Sequence, residues 1–134
     1  MSNGSTNLHV ASGLQTSGVW QYTTDDNLAL YAYRFDGPNQ DHKGNGHFKS
    51  VIPKPGNPQP KQYDIKLASP QFEIVHIEVH YGGTQFHGMV KNHSHAVIDN
   101  ANNQCRQSVY CVFVRDKSNG AVIYCDPMIT NDPH

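Results

Sequence analysis

The stretch from Val109 to Pro127, VYCVFVRDKSNGAVIYCDP, constrains the fold more than any other part of the chain. Alternating β-branched and aromatic residues precede Asp116 to Gly120, which favour a turn, and a second apolar run follows. The pattern predicts a β-hairpin that ends at Asp126-Pro127, because proline cannot donate a hydrogen bond to a strand ladder. We expect this hairpin to lie at the centre of a sheet.

Strand patterns recur along the rest of the chain, and no useful window carries the i, i+3, i+4, i+7 apolar spacing of a helix without an intervening Gly or Pro. The sequence therefore predicts an all-β fold. We expect an antiparallel β-sandwich, with a jelly-roll-like arrangement or a small barrel as the alternative. The further predicted strands are Val19 to Thr23, Leu28 to Phe35, His47 to Ile52, Tyr63 to Leu67, Phe72 to Tyr81, and one or two strands within Phe86 to Ile98.

The chain has 134 residues, which suits one domain. Residues 1–18 are rich in Ser, Asn, Gly and Thr, so we expect an N-terminal arm or edge segment there, followed by a single β-sandwich domain over residues 19–134. The proline-rich run PKPGNPQP predicts an extended polyproline-like segment that crosses between two sheets.

The formal net charge of -1 gives no long-range field that would attract nucleic acid or an anionic membrane, so we expect neither partner. The sequence shows no secretory signal and no run long enough to span a bilayer. Its three cysteines fit a reducing compartment, and we predict a cytoplasmic protein. Cys111 and Cys125 lie on the two hairpin arms, where a turn centred near Ser118 would allow a disulfide; buried free thiols are the favoured interpretation.

Three stretches resemble the PixA/AidA family of bacterial inclusion-body proteins: VWQYTTDDNLALYAYRF, the proline-rich VIPKPGNPQP, and the closing YCVFVRDKSNGAVIYCDPMI. The first resembles a strand, an acidic turn and an aliphatic-Tyr strand of that family, and the last resembles its terminal hairpin. The resemblance implies a compact β-sandwich that accumulates or self-associates in the cell. It also implies sugar binding, as in some members, and no enzymatic chemistry.

The histidines suggest a metal-dependent alternative. His76, Glu78 and His80 alternate along one strand face, and His93-Ser94-His95 repeats the His-x-His arrangement with Asp99 beyond it. Three converging groups would make a Zn, Fe or Cu site, as in a small cupin-like enzyme that uses His93 and His95 with His76, His80 or Asp99. A solvated polar strand face explains the same residues and is the interpretation we favour.

Two polar loop sets have the composition of sugar sites, in which carboxylates and amides bind hydroxyl groups while a flat ring covers the apolar sugar face. The same residues are common in ordinary turns, so a purely structural role stays open for each set. Trp20, the only tryptophan, has a core role as its alternative. The candidate ligand residues are Trp20, Tyr22, Asp25, Asp26 and Asn27 in the first set, and Asp99, Asn100 and Asn102, with Asn103, in the second.

Together these observations predict a non-enzymatic binding or self-assembling protein with a carbohydrate ligand and no cofactor. Exposed strand edges favour a homo-oligomer, because unpaired backbone groups can pair with a second copy. We expect the face that carries His76 and His80 to make such assembly sensitive to pH. The metal-dependent enzyme remains the alternative.

Overall fold

A computed structural model describes residues 4–36, 48–51, 60–80, 85–102, 106–125 and 128–132. The described residues form strands and turns and contain no helix, which confirms the all-β prediction. The strands are β1 (Gly4–Ser12), β2 (Gln21–Thr24), β3 (Leu30–Asp36), β4 (Phe48–Val51), β5 (Lys61–Leu67), β6 (Phe72–His80), β7 (Phe86–Asn92), β8 (His95–Asn100), β9 (Arg106–Asp116), β10 (Val122–Cys125) and β11 (Met128–Asp132).

The first sheet has six strands in the order β2-β3-β1-β5-β8-β7. The second has five: β9 pairs with β6 along one edge and with β10 and β11 along the other, and β11 continues to β4. Over the described strands, neither sheet closes into a barrel. Most of the described strand pairs are antiparallel, as expected, but β1 pairs with β5 and β4 pairs with β11 in parallel.

The two sheets bury a common apolar core between them. Phe35 in β3 contacts Tyr110 in β9 edge to face, with ring centroids 6.3 Å apart, and Tyr31 contacts Phe72 in the same way at 6.1 Å. Both tyrosines are buried, so the apolar body of each ring fills space between the sheets. Strand β9 supplies Tyr110, Val112 and Val114 to this core, as the hairpin prediction requires of a central strand.

The predicted N-terminal arm contains β1, which lies between β3 and β5 in the first sheet. Thr6, Leu8 and Val10 alternate inward and are buried, while Asn7 and His9 on the other face are partly exposed. The expected boundary at residue 18 therefore separates a core strand from the sheet it belongs to. The Ser- and Asn-rich composition concealed a half-buried strand whose polar residues occupy the outer face.

Strand β6 contains a bulge that the sequence pattern did not predict. The pairing with β9 shifts between Ile74 and His76, which leaves Val75 as the extra residue. Ile74 is 1% exposed and Val75 is 37% exposed, so Ile74 faces the core in place of Val75. Because a bulge adds one residue to the alternation, the inward-facing positions ahead of Ile77 are shifted by one residue relative to simple alternation.

The hairpin register determines whether the two described cysteines can form a disulfide. Cys125 lies opposite Val112 in the β9–β10 pair, so it shares a face with Val112 and lies on the opposite face from Cys111. Both thiols are buried and lie on opposite faces of the hairpin, so this pairing does not allow the Cys111–Cys125 disulfide. The predicted proline-rich crossing segment lies outside the described residues, apart from Pro60.

Gly88 in β7 provides a test of the packing between the sheets. A Cβ atom built at this position would lie 3.1 Å from Ile77 Cγ2 and 3.4 Å from Val79 Cγ2 in β6. We expect Gly88→Val to lower the free energy of unfolding by about 1 kcal/mol, because the added methyl groups would press on Ile77 and Val79, although Gly88 itself is exposed. Urea unfolding measures this change. The control is Met89→Val, at an exposed neighbouring position; equal stability of both variants would contradict the packing.

Candidate functional site

A cleft of about 320 Å³ lies where the β2–β3 turn meets the β9–β10 turn. Strand β2 at the edge of the first sheet runs beside β10 of the second, so the two turns come together at one end of the molecule. The described residues that line the cleft are Asp25, Asp26, Asn27, Asn119, Gly120, Ala121 and Val122. Three of the predicted ligand residues therefore lie together in one cavity.

Asp25 shapes the first wall of the cleft. Its Oδ1 accepts hydrogen bonds from the backbone amides of Asn27 and Ala29, each at 2.9 Å. Its backbone amide donates to Ala29 O, and its carbonyl accepts from Leu28 N. Asp25 is 9% exposed, whereas Asp26 and Asn27 are exposed. Asp25 thus holds the turn in place, and the following two side chains are the ones that a ligand can contact.

Leu28 stands out in this turn for its backbone conformation. Its φ is 64°, in the left-handed region that favours Gly or Asn, and its side chain is 80% exposed. For a residue with a Cβ atom this conformation costs about 1–2 kcal/mol. The hydrogen bonds of Asp25 to both sides of Leu28 compensate for that strain.

Asp116 supports the second wall. Its buried carboxylate accepts four hydrogen bonds: from Tyr31 Oη at 2.9 Å, Gln71 Nε2 at 3.2 Å, Ser118 N at 2.9 Å and Ser118 Oγ at 2.7 Å. Asn119, which lines the cleft, donates from Nδ2 to Tyr31 Oη at 3.1 Å. The carboxylate therefore ties the hairpin turn to β3 of the first sheet and to the residue that precedes β6.

These contacts shift two pKa values. Burial alone raises the pKa of Asp116, but hydrogen bonds from Ser118, Tyr31 and Gln71 outweigh it and lower the pKa below its usual value. Burial, with the nearby carboxylates of Asp116 and Asp25, raises the pKa of Tyr31, and the Asn119 hydrogen bond offsets only part of this. At neutral pH the phenol therefore remains a donor and Asp116 remains an acceptor beneath the cleft.

Trp20 and Tyr22 belong to the predicted set but lie away from the cleft. Trp20 precedes β2, and five residues of extended chain place it roughly 16 Å from Asp25. Its ring is covered by the Arg34 guanidinium, 5.1 Å from the ring centroid, and its Nε1 donates to Ser17 O at 2.7 Å. Tyr22 Oη accepts from Gln15 N at 3.1 Å. Neither ring is placed to cover a sugar in the cleft.

The second predicted set lies at the opposite end of the first sheet. Asn100 pairs with Lys61 and Gly4 pairs with Tyr63, whereas the β2–β3 turn is near Ser12 at the other end of β1. Asn100 and Asn102 are 1% and 0% exposed, and Asn100 donates to Tyr63 Oη at 3.0 Å while accepting from Asn102 N at 2.9 Å.

Both asparagines therefore stabilise the end of β8 from inside, which is the structural role that the sequence left open. Asp99 is exposed and accepts from Gln62 Nε2 at 3.1 Å. Asn103 lies outside the described residues.

The candidate metal ligands do not converge. His76 and His80 lie on either side of Glu78, at 3.3 and 3.1 Å from its two oxygens. The His93-Ser94-His95 segment lies at the β7–β8 turn, and its two histidines contact different strands. His93 Nδ1 lies 3.2 Å from Glu73 in β6, and His95 Nε2 lies 2.8 Å from Asp64 in β5.

Among the residues that the structure describes, no three His, Cys, Asp or Glu side chains are arranged to hold one metal ion. Instead, each of these histidines lies within 3.3 Å of a carboxylate. His76 and His80 share the partly exposed Glu78 on one outer strand face, whereas the carboxylates beside His93 and His95 are buried. His76 also packs against Phe113 at 5.1 Å between ring centroids, which explains its orientation without a ligand.

Sequence reasoning missed Asn119, Gly120, Ala121 and Val122 as cleft residues. Their only signal was turn chemistry in the hairpin, and nothing in the sequence places that turn beside Asp25. Leu28 was also missed, because it was interpreted as the first residue of an apolar strand. Its exposure follows from a turn that continues to Ala29.

Comparison with known proteins adds no assignment: the chain matches neither a family model nor a curated protein sequence. Within the described ranges no helix has the length and hydrophobicity of a membrane span.

Asp116 predicts a specific pH dependence of stability. Its pKa is lower in the folded than in the unfolded protein, so its stabilisation is present above about pH 4 and is lost as the pH falls through the folded value. We expect Asp116→Asn to lower the free energy of unfolding by about 1–3 kcal/mol near neutral pH, because the amide nitrogen cannot accept a hydrogen bond.

Urea unfolding at several pH values measures this difference. We expect the gap between wild type and Asp116→Asn to narrow as the pH falls below about 4. The matched control is Asp99→Asn, where the aspartate is exposed and a much smaller change is expected. A gap that stays constant over the acid range would contradict the role of the carboxylate.

Proposed function

We propose that this protein is a β-sandwich that binds a neutral carbohydrate in the cleft between the β2–β3 and β9–β10 turns, without enzymatic chemistry and without a cofactor. The observation that carries this proposal is the meeting of Asp25, Asp26 and Asn27 with Asn119 in one open cavity. Its volume of about 320 Å³ lies at the small end of the range for small-molecule sites, which suits one or two sugar rings.

The chemistry of the cleft favours a polyol. The carboxylate of Asp26 accepts hydrogen bonds from hydroxyl groups, while amides such as Asn27 both donate and accept. Two carboxylates and no basic side chain are among the described lining residues, so we expect acidic sugars to be excluded by charge. Ala121 and Val122 supply a small apolar area on the hairpin side.

The resemblance of the terminal hairpin to the PixA/AidA family supports the same proposal, since sugar binding is implied there. Two facing sheets with ligand residues in the connecting turns also suit a sandwich-type binding protein, in which a rigid core positions the loops. The absence of a converging histidine group among the described residues supports binding over the cupin-like alternative. A cytoplasmic location remains part of the proposal.

A glycan array tests the proposed ligand class. We expect wild-type protein to bind neutral glycans and not sialylated or uronic acid glycans. Asp26→Ala removes a charged acceptor and should weaken binding by about 10-fold or more, since a hydrogen bond to a charged group contributes about 1.5–3 kcal/mol.

The matched control is Asp99→Ala, an exposed aspartate from the second predicted set at the other end of the sheet, which should bind as wild type does. Loss of binding in both variants, or in neither, would contradict the assignment of the cleft. Failure of wild-type protein to bind any glycan would overturn the proposed ligand class itself.

Self-association is a second candidate function, and the exposed apolar residues of the second sheet favour it. Among the described strands β2 forms ladder hydrogen bonds with β3 alone, but β10 of the second sheet runs beside it. The outer face of the second sheet also exposes Tyr124 by 45%, beside Phe113 and His76. A homo-oligomer would use such surfaces.

Sedimentation at pH 5 and pH 8 tests this second candidate. We expect a mass above that of the monomer at pH 8 and a smaller mass at pH 5, because acid adds positive charge to a histidine-bearing face on both copies. A monomer at both pH values would remove the support for self-association, and an unchanged oligomer would remove the role of the histidines.

A further inference from the structure

The proposed carbohydrate site lacks the apolar surface that sugar recognition normally uses. A pyranose has a face of C–H groups, which a protein usually covers with a flat ring or another apolar side chain. None of the described lining residues is aromatic, and Ala121 and Val122 are small. Trp20 is covered by Arg34, and Tyr31 is buried beneath Asn119.

Leu28 is a large apolar residue beside the cleft in the chain, although it is not itself one of the described lining residues. It directly follows Asp25, Asp26 and Asn27 in the chain and leaves its side chain 80% exposed. A single exposed leucine is ordinary on a protein surface. Leu28 is unusual because it also has a φ of 64°, at a position where Gly or Asn would avoid the strain.

The turn does not need a leucine for its own stability. Its hydrogen bonds come from Asp25 Oδ1, from the Asp25 backbone and from the amides of Asn27, Leu28 and Ala29. None of these bonds involves the side chain of Leu28. A strained backbone and an exposed apolar side chain are both unfavourable for folding, and such combinations occur where a side chain contacts a ligand.

We infer that Leu28 is a specificity-determining residue of the cleft, which covers the apolar C–H face of a bound neutral sugar while Asp26 and Asn27 bind its hydroxyl groups. This inference rests on the proposed carbohydrate function. The expected ligand is then a pyranose with one apolar face. In the turn, Asp25 determines the backbone shape and Leu28 contacts the ligand.

The test compares Leu28→Gly with wild type in thermal unfolding and on an array of neutral pyranose glycans. We expect the melting temperature to rise by about 2–4 °C, because Gly adopts a positive φ without strain. We also expect binding to the array to fall by about fivefold or more. Higher stability combined with weaker binding is a result that a merely structural residue would not give.

Two further variants isolate the side chain. Leu28→Met keeps an apolar side chain at the same backbone position, so we expect binding within about twofold of wild type. Val19→Gly removes another exposed apolar side chain, 79% exposed and outside the two turns that form the cleft, and should leave binding unchanged.

The outcomes separate the two proposals. If wild-type protein binds the array and Leu28→Gly binds equally well, Leu28 is not a contact residue, although the carbohydrate site stands. If Val19→Gly weakens binding as much as Leu28→Gly does, a contact specific to Leu28 is likewise overturned. If wild-type protein binds no glycan on the array, the proposed function fails, and the inference about Leu28 fails with it.

Discussion

The buried carboxylate of Asp116 is the contact on which the candidate site depends. It receives hydrogen bonds from Tyr31, Gln71 and Ser118, which belong to three separate parts of the chain. An unpaired carboxylate at this buried position would cost free energy, so the hydrogen bonds fix the relative positions of β3, the start of β6 and the hairpin turn. The cleft exists because that turn is held against the first sheet.

The two turns that line the cleft are stabilised by the same kind of local hydrogen bonding. In each, an aspartate accepts hydrogen bonds from backbone amides of its own turn: Asp25 from Asn27 and Ala29, and Asp116 from Ser118. This local bonding is the reason why aspartate favours turns. These bonds therefore determine the shape of each turn and leave the exposed neighbours of the two aspartates facing solvent.

The four histidines that the sequence suggested as metal ligands each contact a carboxylate, and they do not converge on one point. Alternation correctly placed His76, Glu78 and His80 on one outer face, because the side-chain period of a strand survives the bulge that precedes them. Their spacing along one strand holds His76 and His80 apart, with Glu78 between them. His93 and His95 contact different strands because a turn separates them, and a turn directs neighbouring side chains differently from a strand.

Local patterns in the sequence determined the all-β class, most of the strands, the hairpin at β9 and β10, and the turn at Asp25 to Asn27. Each of these depends on residues close together in the chain, through alternation, β-propensity and turn chemistry. The tertiary structure alone decided that β1 lies inside a sheet, that Asn100 and Asn102 are buried, and that Asn119 lies beside Asp25. Those facts depend on strand order and on parallel pairing between distant segments, which no local pattern encodes. The loss of Trp20 from the site and the exposure of Leu28 follow from the same cause: three-dimensional packing determines which turn meets which.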